Sequence, residues 1–354
     1  MAIVGGGPAG ATLARLLAKD YKVLVIDKRR LDSDPQKGQF TKCCGGLIAP
    51  DAQKMLAKMG LALPQNVLVS PQIFAVRTID INNKLERFYQ RFYFNMDREK
   101  FDRWLISLLP DEVDLRCGSQ FKHFEQEEDA VRIVLTQNNK THIEHAKILV
   151  GADGAHSLVR KQLGIRGLVP REYISVQAKF TAKEIMPYFT AIFDKEITDY
   201  YSWIIPKEQH LLLGTALKPR ENVSSKFELL QEKMKRYGIK LNKQVEKEGA
   251  FILRPMRVRQ LSVGQSPIAL IGEAGGWISP SSAEGLSYAF RSASYLAQAI
   301  KSDFKNYHKH YLDNITPLRR NIRLKNLKAP FMYNSQMRKW VMLSGLQSMQ
   351  IDEN

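Results

Sequence analysis

The 354-residue sequence contains 44% hydrophobic and 25% charged residues, which is the composition of a globular protein with a sizeable core. No run approaches the roughly 20 apolar residues that span a bilayer. Its 53 Lys and Arg residues against 36 Asp and Glu residues give a net charge of +17, which favours anionic partners. The three cysteines include no Cys-x-x-Cys pair, which excludes a zinc site or a disulfide framework.

The positive charge is concentrated near the end of the chain. Residues 301–340 carry ten Lys and Arg residues against Asp303 and Asp313, a net of +8. This charge belongs either to a solvated face or to a contact with an anionic membrane surface. No run of five basic residues and no nucleic-acid-binding motif is present, so we expect no nucleic-acid partner.

The first residues predict a βαβ unit. Ala2–Val4 has the pattern of a short buried strand, Leu13 and Leu17 have helical spacing, and residues 22–26 form a second buried strand that ends at Asp27. This order predicts a parallel sheet. A glycine loop begins at residue 5, which leaves no room for a signal peptide. We therefore expect a cytoplasmic protein, or one peripheral to the inner face of the membrane.

The remaining pattern predicts a nucleotide-binding domain of separated segments with a sheet-rich domain inserted. Antiparallel strands are predicted at 73–81 and 88–94, and a helix after Asp97. Further strands are predicted at 131–135, 143–150, 174–214, 250–253 and 268–271, with helices at 227–237 and 283–300. The predicted nucleotide domain covers 1–70, 97–165 and 255–303, the inserted substrate domain covers 71–96 and 166–254, and a basic helical segment covers 304–354.

The glycine loop has the spacing Gly5-x-Gly7-x-x-Gly10 between a strand and a helix, which is typical of dinucleotide binding. Gly5 permits a tight turn, Gly7 permits close approach of a pyrophosphate, and Gly10 permits helix–strand packing. The loop is completed by Pro8 and Ala9. Asp27 is placed to accept hydrogen bonds from ribose hydroxyls, with Lys28 beside it. The loop alone does not separate FAD from NAD, and a glycine turn without a ligand is the alternative.

Two later segments resemble FAD motifs of the flavoprotein monooxygenases and their relatives. Gly151-Ala152-Asp153-Gly154 resembles their Asp-Gly motif, which lies beside the ribityl and pyrophosphate groups. Gly272-Glu273-Ala274 resembles their Gly-Asp-Ala motif, in which the acid binds a ribityl hydroxyl, and Gly285-Leu286 begins the helix that points at the flavin. The resemblance implies FAD and an α/β fold, in which an inserted, mainly antiparallel substrate domain accompanies a Rossmann-like FAD-binding domain, as in p-hydroxybenzoate hydroxylase.

The segments 42–46 and 201–206 resemble the geranylgeranyl reductase family, and the run from Cys44 to Gln53 resembles its bacterial CbrA-type members most. Lys42-Cys43-Cys44-Gly45-Gly46 resembles the family's Lys-Pro-Cys-Gly-Gly segment, and Arg98-x-x-Phe101-Asp102 also fits. The string Tyr201-Ser202-Trp203-Ile204-Ile205-Pro206, with Gly214 following, resembles a family motif that lines the lipid side of the flavin. The resemblance implies cofactor contacts from Cys44, Gly45 and Arg98. It implies substrate contacts from Cys44, Gly45, Gly46, Tyr201, Trp203 and Pro206.

Spacing alone leaves alternatives open for these residues. Tyr201 and Trp203 share one face of an alternating strand, where they either line a pocket or fill a core. Cys44 is either a small buried residue beside a glycine turn or a group that touches flavin or substrate.

The leading hypothesis is an FAD-dependent reductase of carbon–carbon double bonds in an isoprenoid or similar apolar substrate. Hydride would leave flavin N5, with NAD(P)H or another reductant as electron donor and Cys44 or Tyr201 as candidate proton donor. One alternative is a flavin-dependent monooxygenase or halogenase, since Trp203-x-Ile205-Pro206 partly resembles a halogenase string. Another is a non-catalytic flavoprotein that binds lipid.

Overall fold

The computed structural model describes residues 1–33, 43–164 and 169–349. The chain divides into two compact units. The first unit contains 1–41, 99–171 and 253–325, and the second contains 42–98, 172–252 and 326–354. Lys42 of the predicted cysteine motif and the predicted domain boundary at 165/166 lie outside the described residues.

The strands of the described chain are β1 (Ala2–Val4), β2 (Leu24–Asp27), β3 (Leu47–Ile48), β4 (Ile73–Asp80), β5 (Leu85–Asn95), β6 (Asp114–Cys117), β7 (Ser119–Gln126), β8 (Val131–Gln137), β9 (Lys140–Ala146), β10 (Leu149–Gly151), β11 (Arg171–Thr181), β12 (Tyr188–Phe193), β13 (Ser202–Lys207), β14 (His210–Leu217), β15 (Gln244–Arg254), β16 (Gly264–Gln265), β17 (Ile268–Leu270) and β18 (Ser348–Met349). The helices are α1 (Pro8–Leu17), α2 (Pro50–Lys58), α3 (Arg98–Ser107), α4 (Leu158–Gln162), α5 (Val223–Arg236), α6 (Leu286–Ser302), α7 (Tyr307–Asn314), α8 (Thr316–Tyr333) and α9 (Ser335–Leu343). Over the described ranges, no helix is both long and apolar enough to cross a membrane.

The first unit is built on a six-stranded sheet in the order β16-β17-β10-β1-β2-β6. The predicted βαβ opening is confirmed, because β1 pairs in parallel with β2 and with β10, which places Ile3 opposite Val25 and Val150. All three side chains are fully buried, as expected for a parallel sheet covered on both faces. The core on one face includes Leu13 of α1 and Leu296 of α6.

A separate three-stranded antiparallel sheet, β7-β8-β9, completes the first unit. Its β8–β9 turn uses Asn138 and Asn139, both at positive φ, the conformation that a two-residue hairpin turn requires. The strand predicted at 143–150 is therefore corrected to two strands, because β9 ends at Ala146 in the hairpin and β10 begins at Leu149 in the parallel sheet.

The second unit is built on a larger sheet in the order β15-β11-β14-β13-β12-β4-β5-β18, with β3 also paired to β5. Helix α5 covers one face of this sheet, where Phe227 and Leu230 pack with Ile204 and Leu213 in one buried cluster. Because side chains alternate along a strand, Ile204 faces α5 while its neighbours Trp203 and Ile205 face the other way.

The two largest differences between the units and the predicted domains lie at residues 43–70 and in the C-terminal segment. Residues 43–70 were assigned to the nucleotide domain, but β3 pairs with β5 at Leu47↔Asn95, which ties this segment to the second unit. The segment 304–354 was predicted as a separate basic element. Its first part instead adds Tyr311 and Ile322 to the core of the first unit, and its described residues from 326 to 349 belong to the second.

Helix α9 is attached to the second unit by a buried ion pair. Arg338 Nε lies 2.7 Å from Asp80 Oδ2, and both side chains are almost completely buried. Asn83 donates a further hydrogen bond to Asp80 Oδ2 at 2.7 Å. Removing one partner of such a pair leaves an uncompensated charge in the interior.

We expect Arg338→Met to lower the free energy of unfolding by about 3 kcal/mol, because Asp80 would lose its counter-charge. Urea unfolding monitored by circular dichroism measures the loss. The neighbouring Lys339 is exposed, so Lys339→Met should change stability by less than about 0.5 kcal/mol. Equal losses in the two variants would show that the ion pair does not hold the helix.

Candidate functional site

The glycine loop is shaped by close backbone contacts inside the first unit. A Cβ on residue 10 would lie 1.8 Å from the Gly5 carbonyl oxygen, and a Cβ on residue 5 would lie 2.5 Å from the Ala152 carbonyl oxygen. Gly5 also has φ +106°, which side chains disfavour. Gly7 differs, because the nearest atom to its absent Cβ is Arg29 Nη2 at 3.8 Å. Gly5 and Gly10 are thus required by the fold, whereas the space at Gly7 is open.

Helix α1 begins directly after this space. Pro8 occupies the first turn, the N-cap residue Gly7 has no side chain that could cap the helix, and no acidic residue lies in the first turn. The N–H groups of the first turn and the helix dipole therefore favour an anion. Ala9 packs against Gly272, whose absent Cβ would lie 2.9 Å from Ala9 Cβ. The loop thus contacts the segment predicted to be the third nucleotide motif.

Asp27 braces the glycine loop. Its Oδ2 accepts a hydrogen bond from Gly6 N at 2.7 Å and forms an ion pair with Arg29 at 3.0 Å. Its Oδ1 accepts from the Arg29 backbone N–H at 2.8 Å. Arg29 also contacts the buried Asp102 at 2.7 Å. Burial disfavours the charge of Arg29, but Asp27 and Asp102 outweigh burial and raise its pKa. Lys28 is exposed.

Asp153 presents a buried acceptor beside the same sheet. Its Oδ2 accepts hydrogen bonds from Leu158 N at 2.8 Å and Val159 N at 3.3 Å. Its Oδ1 is buried, and no partner for it exists among the described residues. Burial raises the pKa of Asp153. Gly154 follows at φ +79° with open space around it. A buried acceptor without a partner is costly unless a ligand donates to it.

Arg160 ties the Asp153 segment to the Glu273 segment. Its guanidinium donates to Ala155 O at 2.7 Å and to Ala274 O at 3.0 Å. Glu273 Oε1 accepts a hydrogen bond from Leu253 N at 2.9 Å, so one carboxylate oxygen already binds the protein backbone. The predicted ribityl role of Glu273 stays a prediction.

Helix α6 also begins after a glycine. Gly285 is its N-cap residue and supplies no side-chain acceptor, and Leu286 is its first residue. The first unit therefore combines a glycine cradle, two helices that begin after a glycine and the buried acceptor on Asp153. This donor and acceptor set fits a pyrophosphate with an attached polyol, as in FAD.

The Cys44 loop belongs to the second unit. Cys44 Sγ accepts hydrogen bonds from Arg98 Nη1 and from Gly46 N, each at 3.4 Å. Gly46 has φ +61°, and a Cβ there would lie 2.3 Å from Met96 O. A Cβ on Gly45 would lie 2.6 Å from Ile205 Cδ1. The loop therefore packs directly on β13.

Lys207, the last residue of β13, fixes this loop. Its ammonium donates to Gly46 O at 3.0 Å, Met96 O at 2.8 Å and Asn95 Oδ1 at 2.5 Å. Burial lowers the pKa of Lys207 to about 7, and the nearby Cys44 and Asp97 offset only part of this. All three ammonium protons have acceptors, so Lys207 acts as a clamp between the loop and the end of β5.

Trp203 lies over Gly214 on the neighbouring strand. The two residues are directly opposite in the β13–β14 pairing, and a Cβ on Gly214 would lie 2.4 Å from the indole ring. Trp203 is buried, and its Nε1 has no partner in the described part of the chain. Tyr201 joins it at 5.7 Å between ring centroids. The predicted shared face of Tyr201 and Trp203 thus continues through Ile205 to Lys207, whereas strand alternation places the Pro206 ring on the other face.

The predicted site residues fall into two groups. The first unit contains Gly5, Gly7, Pro8, Ala9, Gly10, Asp27, Lys28, Asp153, Gly154, Gly272, Glu273, Gly285 and Leu286. The second unit holds Cys44, Gly45, Gly46, Arg98, Tyr201, Trp203 and Pro206.

Sequence reasoning missed Arg29 and Lys207. Asp27-x-Arg29 at the end of a strand is a signal for an ion pair. Lys207 continues the alternation of Tyr201, Trp203 and Ile205, and this alternation predicts its face but not its partners.

Comparison with known proteins gives consistent matches. The family described as FAD binding domain matches residues 1–325. Protein CbrA of Escherichia coli O9:H4 (strain HS) is 38% identical over 348 residues, which are 98% of this chain and 93% of that protein.

Two solved structures share the fold. A geranylgeranyl bacteriochlorophyll reductase-like protein from Thermoplasma acidophilum aligns with a TM-score of 0.80 and 20% identity, over 94% of this chain and 86% of that one. The structure of pqsL, a probable FAD-dependent monooxygenase from Pseudomonas aeruginosa, aligns with a TM-score of 0.70 and 18% identity, over 98% of both chains. The predicted α/β flavoprotein fold is thereby confirmed.

We expect Gly7→Ala to weaken FAD binding by about tenfold or more while leaving the stability of the FAD-free protein nearly unchanged. The new methyl group fits the protein but occupies the space needed for a pyrophosphate. Fluorescence titration with FAD and thermal unfolding of the stripped protein measure the two effects. Gly10→Ala is the matched comparison, because its overlap with Gly5 O should destabilise the fold itself by roughly 1–3 kcal/mol. Unchanged FAD affinity in Gly7→Ala would contradict a pyrophosphate at this position.

We expect the stability of the protein to depend on pH through Lys207. Its pKa is about 7 in the folded chain and 10.5 in the unfolded chain, so the unfolded chain binds the extra proton between these values. Stability should therefore rise with pH from about 7 to 10.5, by on the order of 4 kcal/mol from this residue. Lys207→Met should remove that rise in urea unfolding measured at a series of pH values. The exposed Lys243 provides the control, and identical pH slopes for wild type, Lys207→Met and Lys243→Met would refute the assignment.

Proposed function

The chain belongs to the FAD binding domain family, together with its CbrA relatives, and we propose that it is an FAD-dependent oxidoreductase that saturates carbon–carbon double bonds. The proposed substrate is an isoprenoid or a similar apolar molecule. NAD(P)H or another reductant is the proposed electron donor.

FAD, when bound, supplies the hydride chemistry. The glycine cradle at Gly7 and the start of α1 would hold its pyrophosphate through backbone N–H groups. Asp153 Oδ1 would accept a hydrogen bond from a hydroxyl of the cofactor, which would satisfy its buried lone pairs. These groups bind and orient, and none of them needs to change protonation state.

The observation that carries the reductase proposal is the packing of the Cys44 loop on β13. These are the two segments that resemble the geranylgeranyl reductase family. They are distant in the sequence, since Lys207 and Gly46, which form a hydrogen bond, are 161 positions apart. Ile205 packs against Gly45, where a side chain would leave no room for it. Lys207 Nζ donates a hydrogen bond to Gly46 O at 3.0 Å. The geranylgeranyl bacteriochlorophyll reductase-like protein from Thermoplasma acidophilum, which has a similar fold, supports the proposal.

The residues of the loop-facing side of β13 suit an apolar substrate. Tyr201, Trp203 and Ile205 present two aromatic rings and an aliphatic side chain on one face of the strand. Such a surface excludes water and holds an alkene by shape, which is the protein's share in hydride transfer.

Cys44 is the better proposed proton donor of the two candidates. Its sulfur accepts two N–H hydrogen bonds, one from the Arg98 guanidinium, and this arrangement stabilises the negative charge left when a thiol gives up its proton. Tyr201 instead packs among aromatic rings, with Tyr200 at 4.9 Å between centroids. We therefore assign proton donation to Cys44 and apolar contact to Tyr201.

We expect Cys44→Ala to retain FAD and to slow substrate-dependent flavin reoxidation by roughly 100-fold, since a positioned general acid contributes about that much. Enzyme reduced with dithionite under anaerobic conditions is mixed with a polyprenyl substrate, and return of the oxidised flavin absorbance gives the rate. Cys117→Ala is the control, because Cys117 is buried in the first unit and burial raises its pKa to about 11. Failure of every polyprenyl compound to reoxidise the wild-type flavin would argue against the reductase.

A monooxygenase or halogenase is the second candidate, favoured by the Trp203-x-Ile205-Pro206 string and by the fold shared with pqsL. Consumption of oxygen during turnover distinguishes this candidate from the reductase. Substrate-triggered oxygen uptake, with a hydroxylated or halogenated product in mass spectrometry, would select it over the reductase.

A further inference from the structure

Helix α9 and the turn after it expose large apolar side chains. Trp340 is 69% exposed and Leu346 is 71% exposed, and Leu343 lies between them in the chain at 53%. Near the end of α8, Leu327 and Phe331 are exposed as well and share one side of that helix, being four residues apart. We call Trp340, Leu343 and Leu346 the C-terminal apolar face, and Leu327 and Phe331 add exposed apolar surface on α8. Exposed apolar residues in such a group mark an interaction surface.

Helix α9 is firmly held on its inward side although its outward side is exposed. Its inward side is held by polar contacts to the β4–β5 region: Arg338 pairs with Asp80 at 2.7 Å, and Asn83 donates to Ser335 O at 3.0 Å. Arg87 Nε donates to Met342 O at 2.9 Å. Helices of globular proteins normally turn their apolar side inward and their charges outward. Helix α9 buries Arg338 and Met342, whereas Trp340 and Leu343 face outward. Part of its apolar surface is therefore held in place while facing outward.

The surrounding charge selects the partner. Residues 314–349 contain seven Lys and Arg residues and no Asp or Glu. Lys328 and Lys339, which adjoin Leu327 and Trp340 in the chain, are exposed. A second copy of the chain would present the same positive charges across a symmetric interface, which would disfavour pairing. An anionic surface that also accepts apolar side chains fits both features.

We propose that the C-terminal apolar face docks on an anionic lipid bilayer, with Trp340, Leu343 and Leu346 inserted at the interface and Lys328 and Lys339 beside the headgroups. Tryptophan favours the membrane–water interface, and lysines near it are attracted to anionic lipids. Apolar insertion plus a basic rim is the usual arrangement of peripheral, non-spanning attachment. This inference is independent of the reaction at the flavin.

The test is co-sedimentation of the full chain, loaded with FAD, with vesicles of phosphatidylglycerol and phosphatidylethanolamine and with vesicles of phosphatidylcholine alone. We expect binding to the anionic vesicles and at least tenfold weaker binding to the neutral ones. The triple variant Trp340→Ser, Leu343→Ser, Leu346→Ser should lose at least tenfold in affinity for the anionic vesicles. The matched triple Ile143→Ser, Val169→Ser, Val245→Ser removes three exposed apolar side chains elsewhere and should bind like wild type.

The fluorescence of Trp340 also reports directly on insertion into the membrane. Of the four tryptophans, Trp203 and Trp277 are buried, Trp104 is half-buried and Trp340 is the most exposed. A blue shift of emission on adding vesicles should therefore come mainly from Trp340 and vanish in Trp340→Phe, which keeps an apolar ring. Equal vesicle binding by wild type and the Trp340 triple, or no binding by wild type, would overturn the proposal. So would a concentration-dependent dimer in analytical ultracentrifugation that only the Trp340 triple abolishes, because the face would then be an interface between copies.

Discussion

The approach of Gly10 to the Gly5 carbonyl oxygen is the constraint on which the first unit depends. With no room for a Cβ at residue 10, helix α1 starts directly against the end of β1, and its N-terminal N–H groups face the space above Gly7. The same approach brings Ala9 against Gly272. Because Asp27 accepts the Gly6 N–H, the loop conformation also fixes the carboxylate that holds Arg29. The cradle is therefore built by the fold before any ligand binds, which is the preorganisation that a cofactor site needs.

In the second unit, glycines on the sheet and in the cysteine loop also permit close packing. Gly214 lacks a side chain where Trp203 crosses it, and Gly45 lacks one where Ile205 meets the cysteine loop. In both cases a missing Cβ admits a large apolar group, so the spacing between the aromatic string and its later glycine is a packing requirement. This explanation applies whether or not the face binds substrate. Packing does not account for Trp203 Nε1, which is buried without a hydrogen-bond partner among the described residues.

Local constraints were predictable from the sequence, and distant contacts were not. The glycine loop, the βαβ order and the shared face of Tyr201 and Trp203 follow from spacing within a few residues, because turn geometry and strand alternation act at that range. The Lys207 clamp joins residues 161 positions apart. The pairing of β3 with β5, which moved residues 43–70 out of the predicted nucleotide domain, is also non-local. Such contacts depend on topology, for which one sequence contains no periodic signal.

The structure shows that not all of the basic residues near the C-terminus are available at the surface. In the sequence, an anionic contact is one of two alternatives and rests on the number of Lys and Arg residues between 301 and 340. In the structure, Arg338 is buried against Asp80 and does not contribute to an outer surface. Lys328 and Lys339 together would contribute only about 2 kcal/mol near an anionic membrane, less than the ~4 kcal/mol of a millimolar complex. Burying a large apolar side chain contributes roughly 1.5–3 kcal/mol. Attachment through this face must therefore rest mainly on Trp340, Leu343 and Leu346, while the charges select the lipid.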